Sequence, residues 1–172
     1  KIKFTGNPVR KDILDKNISK AEAKQILGLD QNKKTVLIFG GSLGARTINE
    51  AVLANAEKLK SLGDVNIIWQ VGKMYFEEYK SCSLAGNKDI KIVPFIEDMD
   101  VAYAASDIVI CRAGALTISE LSVLGKAAIL IPSPNVAEDH QTVNAMSLVD
   151  KGAAILLKDV DAKSEIFDQM KA

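Results

Sequence analysis

A doubly wound, parallel α/β sheet is the fold this sequence predicts, on three observations. Strand-like and helix-like segments alternate along nearly all of the 172 residues. The strand-like segments are apolar on both faces, as parallel strands covered by helices must be. Three loops that carry chemistry, at 40–46, 112–117 and 132–141, follow strands, and such sheets bind ligands at the carboxyl ends of their strands.

Residues 1–12 read as a short strand and a turn, because Asn7-Pro8 favours extended or turn backbone and Gly6 permits what other residues resist. A helix is expected over roughly Ser19–Leu27, with Ser19 as N-cap, Glu22 three residues on and Gly28 as its stop. Thr35–Phe39 is a buried strand; its glycine loop, Gly40-Gly41-Ser42-Leu43-Gly44, opens a helix that runs to about Leu62. Val65–Val71 is the second strand and Met74–Leu84 the next helix. Ile90–Phe95, closed by Pro94, is the third strand, and Asp98–Ala105 a short helix. Asp107–Ile110 is the fourth strand. The helix after it continues through Leu121–Leu124, and Ala127–Ile131 is the fifth strand, ended by Pro132-Ser-Pro134. A helix from about Asp139 to Lys151 leads through Gly152 to a sixth strand, Ala153–Leu157, and the last residues begin another helix.

Composition narrows the class of function. Lysine plus arginine equals aspartate plus glutamate at 22 each, so no charge imbalance points to nucleic acid or an anionic membrane. The longest apolar run, Ala127–Pro132, is too short to span a bilayer. Two cysteines are too few for a disulfide framework and fit a reducing compartment. The chain starts at Lys1 without methionine, which predicts a piece of a longer protein.

Each motif supports a functional and a structural reading. In Cys111–Glu120 a strand stops and a helix starts. Gly114 lets main chain approach a ligand, and the first helical turn offers amides and a partial positive charge to a diphosphate. Glu120, one turn after Thr117, could then receive sugar hydroxyls. Thr117-x-x-Glu120 is equally a capping box, with Thr117 as N-cap. The glycine loop brings Ser42 towards a phosphate, or is a tight connection without a ligand. Its spacing is not that of the dinucleotide fingerprint, and Trp69-Gln70-Val71-Gly72 lacks the acid that would hold a ribose, so NAD is disfavoured. No Walker A motif is present. Asp98-Met99-Asp100 matches the Asp-x-Asp of metal-dependent sugar transferases, yet either aspartate could be a helix N-cap. His140 is the only histidine, which leaves a multi-histidine metal site without ligands. Asp139 could cap the helix that begins with His140 and Gln141, turning both side chains into the loop. Cys111 is either a thiol activated by Arg112 or a small buried hydrophobe. Trp69 is expected in the core, and Phe95 is the aromatic ring that could serve as a stacking platform.

The order of five motifs is more specific than any one of them. Thr5-Gly-Asn-Pro-Val-Arg10, Phe39-Gly-Gly-Ser-Leu-Gly-Ala-Arg46, Pro94-Phe-Ile-Glu-Asp-Met99, Cys111–Glu120 and Ala137-Glu-Asp-His-Gln-Thr142 with Asn144-Ala145 follow one another along nearly the whole chain. In that order they resemble the C-terminal half of the MurG family, the bacterial N-acetylglucosaminyltransferases of peptidoglycan synthesis. The resemblance implies a Rossmann-like half of a GT-B glycosyltransferase. Residues 1–172 would form the UDP-N-acetylglucosamine (UDP-GlcNAc) donor domain, with 1–12 from the inter-domain segment and the N-terminal acceptor domain absent. It implies an inverting transfer of GlcNAc to undecaprenyl-diphospho-MurNAc-pentapeptide, converting lipid I to lipid II in cell-wall biogenesis, and hence a part in cell shape and division. The full-length protein would be peripheral on the cytoplasmic face of the inner membrane, and this piece alone inactive. No cofactor or metal is implied.

Carried over by position, Arg10 and Ser42 would meet the diphosphate or sugar, with Gly41 beside them. Ile96, through its main chain, would meet the uracil edge, next to Phe95. Gly114, Ala115, Leu116, Thr117, Ile118 and Ser119 would surround the phosphates at the helix N-terminus, and Glu120 would take the ribose hydroxyls. Gln141 and His140 would read the GlcNAc hydroxyls. The sequence departs from the family's pattern at Ala127, where proline is frequent, and at Ser133-Pro134-Asn135-Val136, where the loop is usually more aromatic. A stand-alone binding subunit of a split glycosyltransferase, a UDP-GlcNAc 2-epimerase and a dinucleotide oxidoreductase are the alternatives.

Overall fold

The computed structural model describes residues 6–11, 13 and 18–171; the strand expected before Gly6, and Thr5 with it, lies outside the described residues. The strands are β1 (Lys34–Phe39), β2 (Val65–Gln70), β3 (Ile90–Val93), β4 (Ile108–Cys111), β5 (Ala127–Leu130) and β6 (Ala154–Leu156), all parallel, in the order β3-β2-β1-β4-β5-β6. The α-helices from residue 18 to residue 171 are α1 (Lys20–Leu27), α2 (Arg46–Ala54), α3 (Ala56–Lys60), α4 (Phe76–Tyr79), α5 (Met99–Ala105), α6 (Ala115–Leu124), α7 (His140–Val149) and α8 (Ala162–Lys171). The chain is an α/β protein of the doubly wound class, as the alternation predicts.

Strand alternation divides the core in two. Val36 and Ile38 point with Ile67 and Trp69 to the face covered by α2, α3 and α8. Leu37 and Phe39 point with Val109, Cys111 and Leu130 to the face covered by α5, α6 and α7. Helices cover both faces of the central strands, which is why these carry no exposed polar stripe. Trp69 has no exposed surface; its indole N–H donates to Asn49 Oδ1 at 3.1 Å, and Tyr79 packs edge-on against its ring. α1 starts with the expected capping box between Ser19 and Glu22 and stops at Gly28, whose φ is 66°.

Two helices are shorter than periodicity predicts. The helix expected to reach Leu62 breaks at Asn55, because its side-chain amide donates to Ala51 O at 2.9 Å and Lys163 O at 3.0 Å; a side chain that competes for main-chain acceptors interrupts the ladder. The helix expected over Met74–Leu84 is helical only at Phe76–Tyr79. Its continuation, Ser81-Cys82-Ser83, consists of weak helix formers, and four-residue turns such as Cys82 N–H to Tyr79 O (3.1 Å) replace helical bonds there.

Asp107, at the amino end of β4, accepts from Thr35 N–H at 2.9 Å and from Lys20, and pairs with Lys34 at 3.6 Å. Burial acts to raise its pKa, but the hydrogen bonds from Lys20 and Thr35 and the two lysine charges outweigh it, and the carboxyl is held below its ordinary value. A depressed folded pKa means that the unfolded chain takes up the proton first. The stabilisation is therefore present above the unfolded pKa, about 3.9, and is lost as pH falls through the lower folded value. Asp107→Asn should cost about 1–3 kcal/mol at pH 7 and leave a flatter acid limb in urea unfolding followed from pH 7 to 3. Equal acid limbs in the two proteins would show that the aspartate contributes nothing.

Candidate functional site

In this strand order the chain winds one way from β1 to β2 and β3 and the other way from β4 to β5 and β6. The loops after β1 and β4 therefore diverge, leaving a crevice at the switch point. A cavity of about 300 Å³ occupies it, lined by Arg10, Gly41, Ser42, Phe95, Ile96, Leu116, Thr117 and Glu120 together with Phe39, Gln70 and Met99. Its volume is at the small end of the ligand-pocket range, about 300–1,000 Å³.

One wall is the first turn of α6. Its N-cap is Gly114, with φ −66° and ψ 145°, not Thr117. Thr117 stands inside the first turn, and no side chain among the described residues caps the helix. The capping-box reading is thereby corrected: Glu120 does not fold back to an amide because other groups hold it. Its Oε1 accepts from Arg10 Nε at 3.2 Å and its Oε2 from the Tyr103 hydroxyl at 2.9 Å, and only 4% of the residue is exposed. The amides of Ala115, Leu116 and Thr117 point out of the helix end with no acidic residue in the turn, a partial positive charge beside the cavity.

The glycine loop divides its glycines between two tasks. A Cβ on Gly40 would lie 2.3 Å from Ala45 N, and one on Gly44 2.2 Å from Val71 O, so these two belong to tight backbone packing. Gly41 meets nothing within 4 Å and lines the cavity. Gln70, at the end of β2, fastens the loop by donating to Gly41 O at 3.0 Å and Pro94 O at 3.4 Å. Phe95 is 41% exposed at the cavity edge, with the Lys73 ammonium 5.3 Å from its ring centroid.

The other expected residues stand apart from this cavity. Ile118 is buried in the core beneath α6. Ser119 donates to Ala115 O at 3.0 Å and accepts from Asn7 at 3.2 Å. Gln141 Oε1 accepts from Ser133 N–H at 2.9 Å, and His140 Nδ1 lies 2.8 Å from Ala137 O, so both close the 132–141 loop on itself. Asp139 holds the N-cap position of α7 without capping it: its φ of 48° turns it away, and its carboxylate accepts from Thr142 Oγ1 at 2.7 Å. A second cavity of about 330 Å³ adjoins this loop, between Ser133, Thr142 and Lys158.

Two residues that offered chemistry take structural places instead. Asp98 is the N-cap of α5, as expected, though its side chain makes no cap bond, and Asp100 is buried in the first turn. Cys111 is the small buried hydrophobe. Arg112 does not activate Cys111: its guanidinium reaches Ile131 O and Pro132 O, both at 3.1 Å, and Asp159, while burial and then the Glu120 charge push the Cys111 thiol well above its ordinary pKa. Among the described residues no group of three or more His, Cys, Asp or Glu side chains converges as a metal site. Nor is any described helix long and apolar enough to cross a membrane.

Gln70 and Tyr103 are the residues that sequence reasoning passes over. Gln70 carried a signal, a polar residue closing an apolar strand run, since a buried polar group usually has a specific partner. Tyr103 carried none, because an aromatic residue at helical spacing reads as core.

The profile of the glycosyltransferase family 28 C-terminal domain matches residues 35–171. The UDP-N-acetylglucosamine–N-acetylmuramyl-(pentapeptide) pyrophosphoryl-undecaprenol N-acetylglucosamine transferase of Flavobacterium psychrophilum is 53% identical over 165 residues, which cover 96% of this chain and 44% of that protein. The protein of the same description from Cytophaga hutchinsonii is 50% identical over 166 residues, again 96% and 44%. The crystal structure of Acinetobacter baumannii MurG superposes with a TM-score of 0.74 at 36% identity, covering 92% of this chain and 45% of that one. The chain thus spans less than half the length of the curated relatives it matches.

Proposed function

The chain belongs to the glycosyltransferase family 28 C-terminal domain family, and from that premise we propose that it is the donor-binding domain of an inverting N-acetylglucosaminyltransferase acting on a lipid-linked muropeptide. UDP-GlcNAc is the donor in this reading, and residues 1–12 belong to the segment that joins the domain to an acceptor-binding half. The observation that carries it is the switch-point cavity, where the uncapped first turn of α6 and the Glu120 carboxylate stand on one wall. Anionic phosphates suit the amides, and a ribose diol suits a buried carboxylate. Uracil has room at Ile96 and Phe95.

The chemistry follows from that placement. As the anomeric carbon is attacked by the acceptor hydroxyl, its bond to the diphosphate breaks and negative charge grows on UDP. Fixed amides at a helix N-terminus stabilise that charge without reorganising. Arg10, with a side chain 40% exposed at the cavity, is free to swing from Glu120 to the phosphates or sugar. Gln141 and His140 reach the sugar once it displaces their bonds within the loop. The acceptor site and general base belong to the half that the relatives add, as does docking at the inner face of the membrane.

Titration calorimetry tests this reading. UDP and UDP-GlcNAc should bind, and Glu120→Ala should weaken UDP about tenfold through loss of its charged hydrogen bonds. Equal binding by the variant would remove Glu120 from the ribose; binding of NAD without UDP would overturn the whole reading.

A further inference from the structure

The hydroxyl of Tyr103 meets Glu120 from the side away from the cavity. Tyr103 has no exposed surface and does not line the cavity; its ring packs edge-on against Phe39, which does, with centroids 6.2 Å apart. Glu120 thus stands between two partners of different kinds. Arg10 holds Oε1 from a half-exposed side chain on the entering segment, whereas Tyr103 holds Oε2 from inside the core. A buried carboxylate left without a fixed partner would adopt several rotamers or lose its charge.

We propose that Tyr103 is the positioning residue of the ribose site: it fixes Glu120 Oε2 so that Oε1 faces the cavity, and Arg10 is the partner that a ribose hydroxyl replaces. The inference rests on the reading of Glu120 as the ribose ligand. Tyr103 suits the task because its hydroxyl is buried against Glu120 Oε2, at 2.9 Å. Burial, and next the charge of Glu120, push the phenol far above its ordinary pKa, which favours the donor form. Its ring is fully buried and packs edge-on against Phe39, which restricts the hydroxyl from following the carboxylate if that rotates. Recognition of a diol by one carboxylate needs this, because two adjacent hydroxyls must find the same acceptor in one orientation.

A ribose-specific readout separates positioning from mere support. Titrations of UDP and 2′-deoxy-UDP against the wild-type chain should show a preference for UDP of about tenfold, one charged hydrogen bond's worth. Tyr103→Phe, folded by its thermal melt, should reduce that ratio to about twofold or threefold, and should leave it unchanged in a Glu120→Ala background, as two residues acting through one group do. Tyr79→Phe, which removes the other fully buried phenol on the opposite face of the sheet, should preserve the full ratio. A wild-type chain that binds UDP but does not distinguish the two sugars overturns the ribose reading and this inference with it. A wild-type preference that survives Tyr103→Phe overturns the positioning role alone. Should Tyr103→Phe not fold, 4-fluorophenylalanine at position 103 fills the space of the hydroxyl without a donor; an unchanged ratio there overturns the role as well.

Discussion

Gly44→Ala should destabilise the chain by about 4 kcal/mol, the sum of roughly 1–3 for strained backbone and roughly 1–3 for overpacking. Gly44 has φ +81°, and a Cβ there would meet Val71 O at 2.2 Å, Val71 C at 2.9 Å and Gly72 Cα at 3.0 Å. All three are backbone, so no side chain can swing away. Gly72 makes the reciprocal approach, its own Cβ position lying 2.3 Å from Leu43 O. The loop after β1 is therefore locked to the end of β2 by two glycines in contact, and a methyl group between them must part the strands' carboxyl ends. Gly41→Ala is the internal control. Its φ of +89° is as unfavourable, but it faces open space, so it should cost only the conformational part, about 1–2 kcal/mol. Urea unfolding of the two variants beside the wild type measures the difference. Equal losses would mean that the close approach is relieved elsewhere and that the loop is not locked.

That contrast shows how much of the site was legible beforehand. Loop 40–46 could be read as a ligand loop or as a tight connection, and residue spacing could not choose, because the answer differs from glycine to glycine. The alternation of strands and helices and the two-faced core follow from apolar runs of strand length separated by caps and glycines, which are local signals; the order of the strands in the sheet does not. Glu120 is the opposite case. Thr117-x-x-Glu120 satisfies a local rule, yet Glu120 bonds Arg10, 110 residues away, and Tyr103, 17 residues away. A local motif competes with partners that only the fold brings close, and here two side-chain donors outweigh a return to one amide. Asn55 ends its helix for the same reason, with one of its two acceptors, Lys163 O, supplied from α8.

Ala115→Pro should leave stability nearly unchanged and weaken UDP about thirtyfold, the loss of one hydrogen bond to a charged phosphate. Ala115 is the first residue of α6, where proline's fixed φ suits the helix and its missing N–H has no intrahelical partner. The residue before a proline must be extended, and Gly114 already is, at φ −66° and ψ 145°. Ala115 is also exposed, and its carbonyl, which accepts from Asn7 at 3.4 Å and Ser119 at 3.0 Å, is retained. The substitution therefore removes one donor and little else. In a chain whose α6 terminus is only a helix start, affinity would be untouched; in one whose first turn holds the diphosphate, the loss falls on UDP and is absent for uridine. Comparing UDP with uridine on the same variant separates a missing phosphate contact from a distorted cavity, because distortion would weaken both ligands alike.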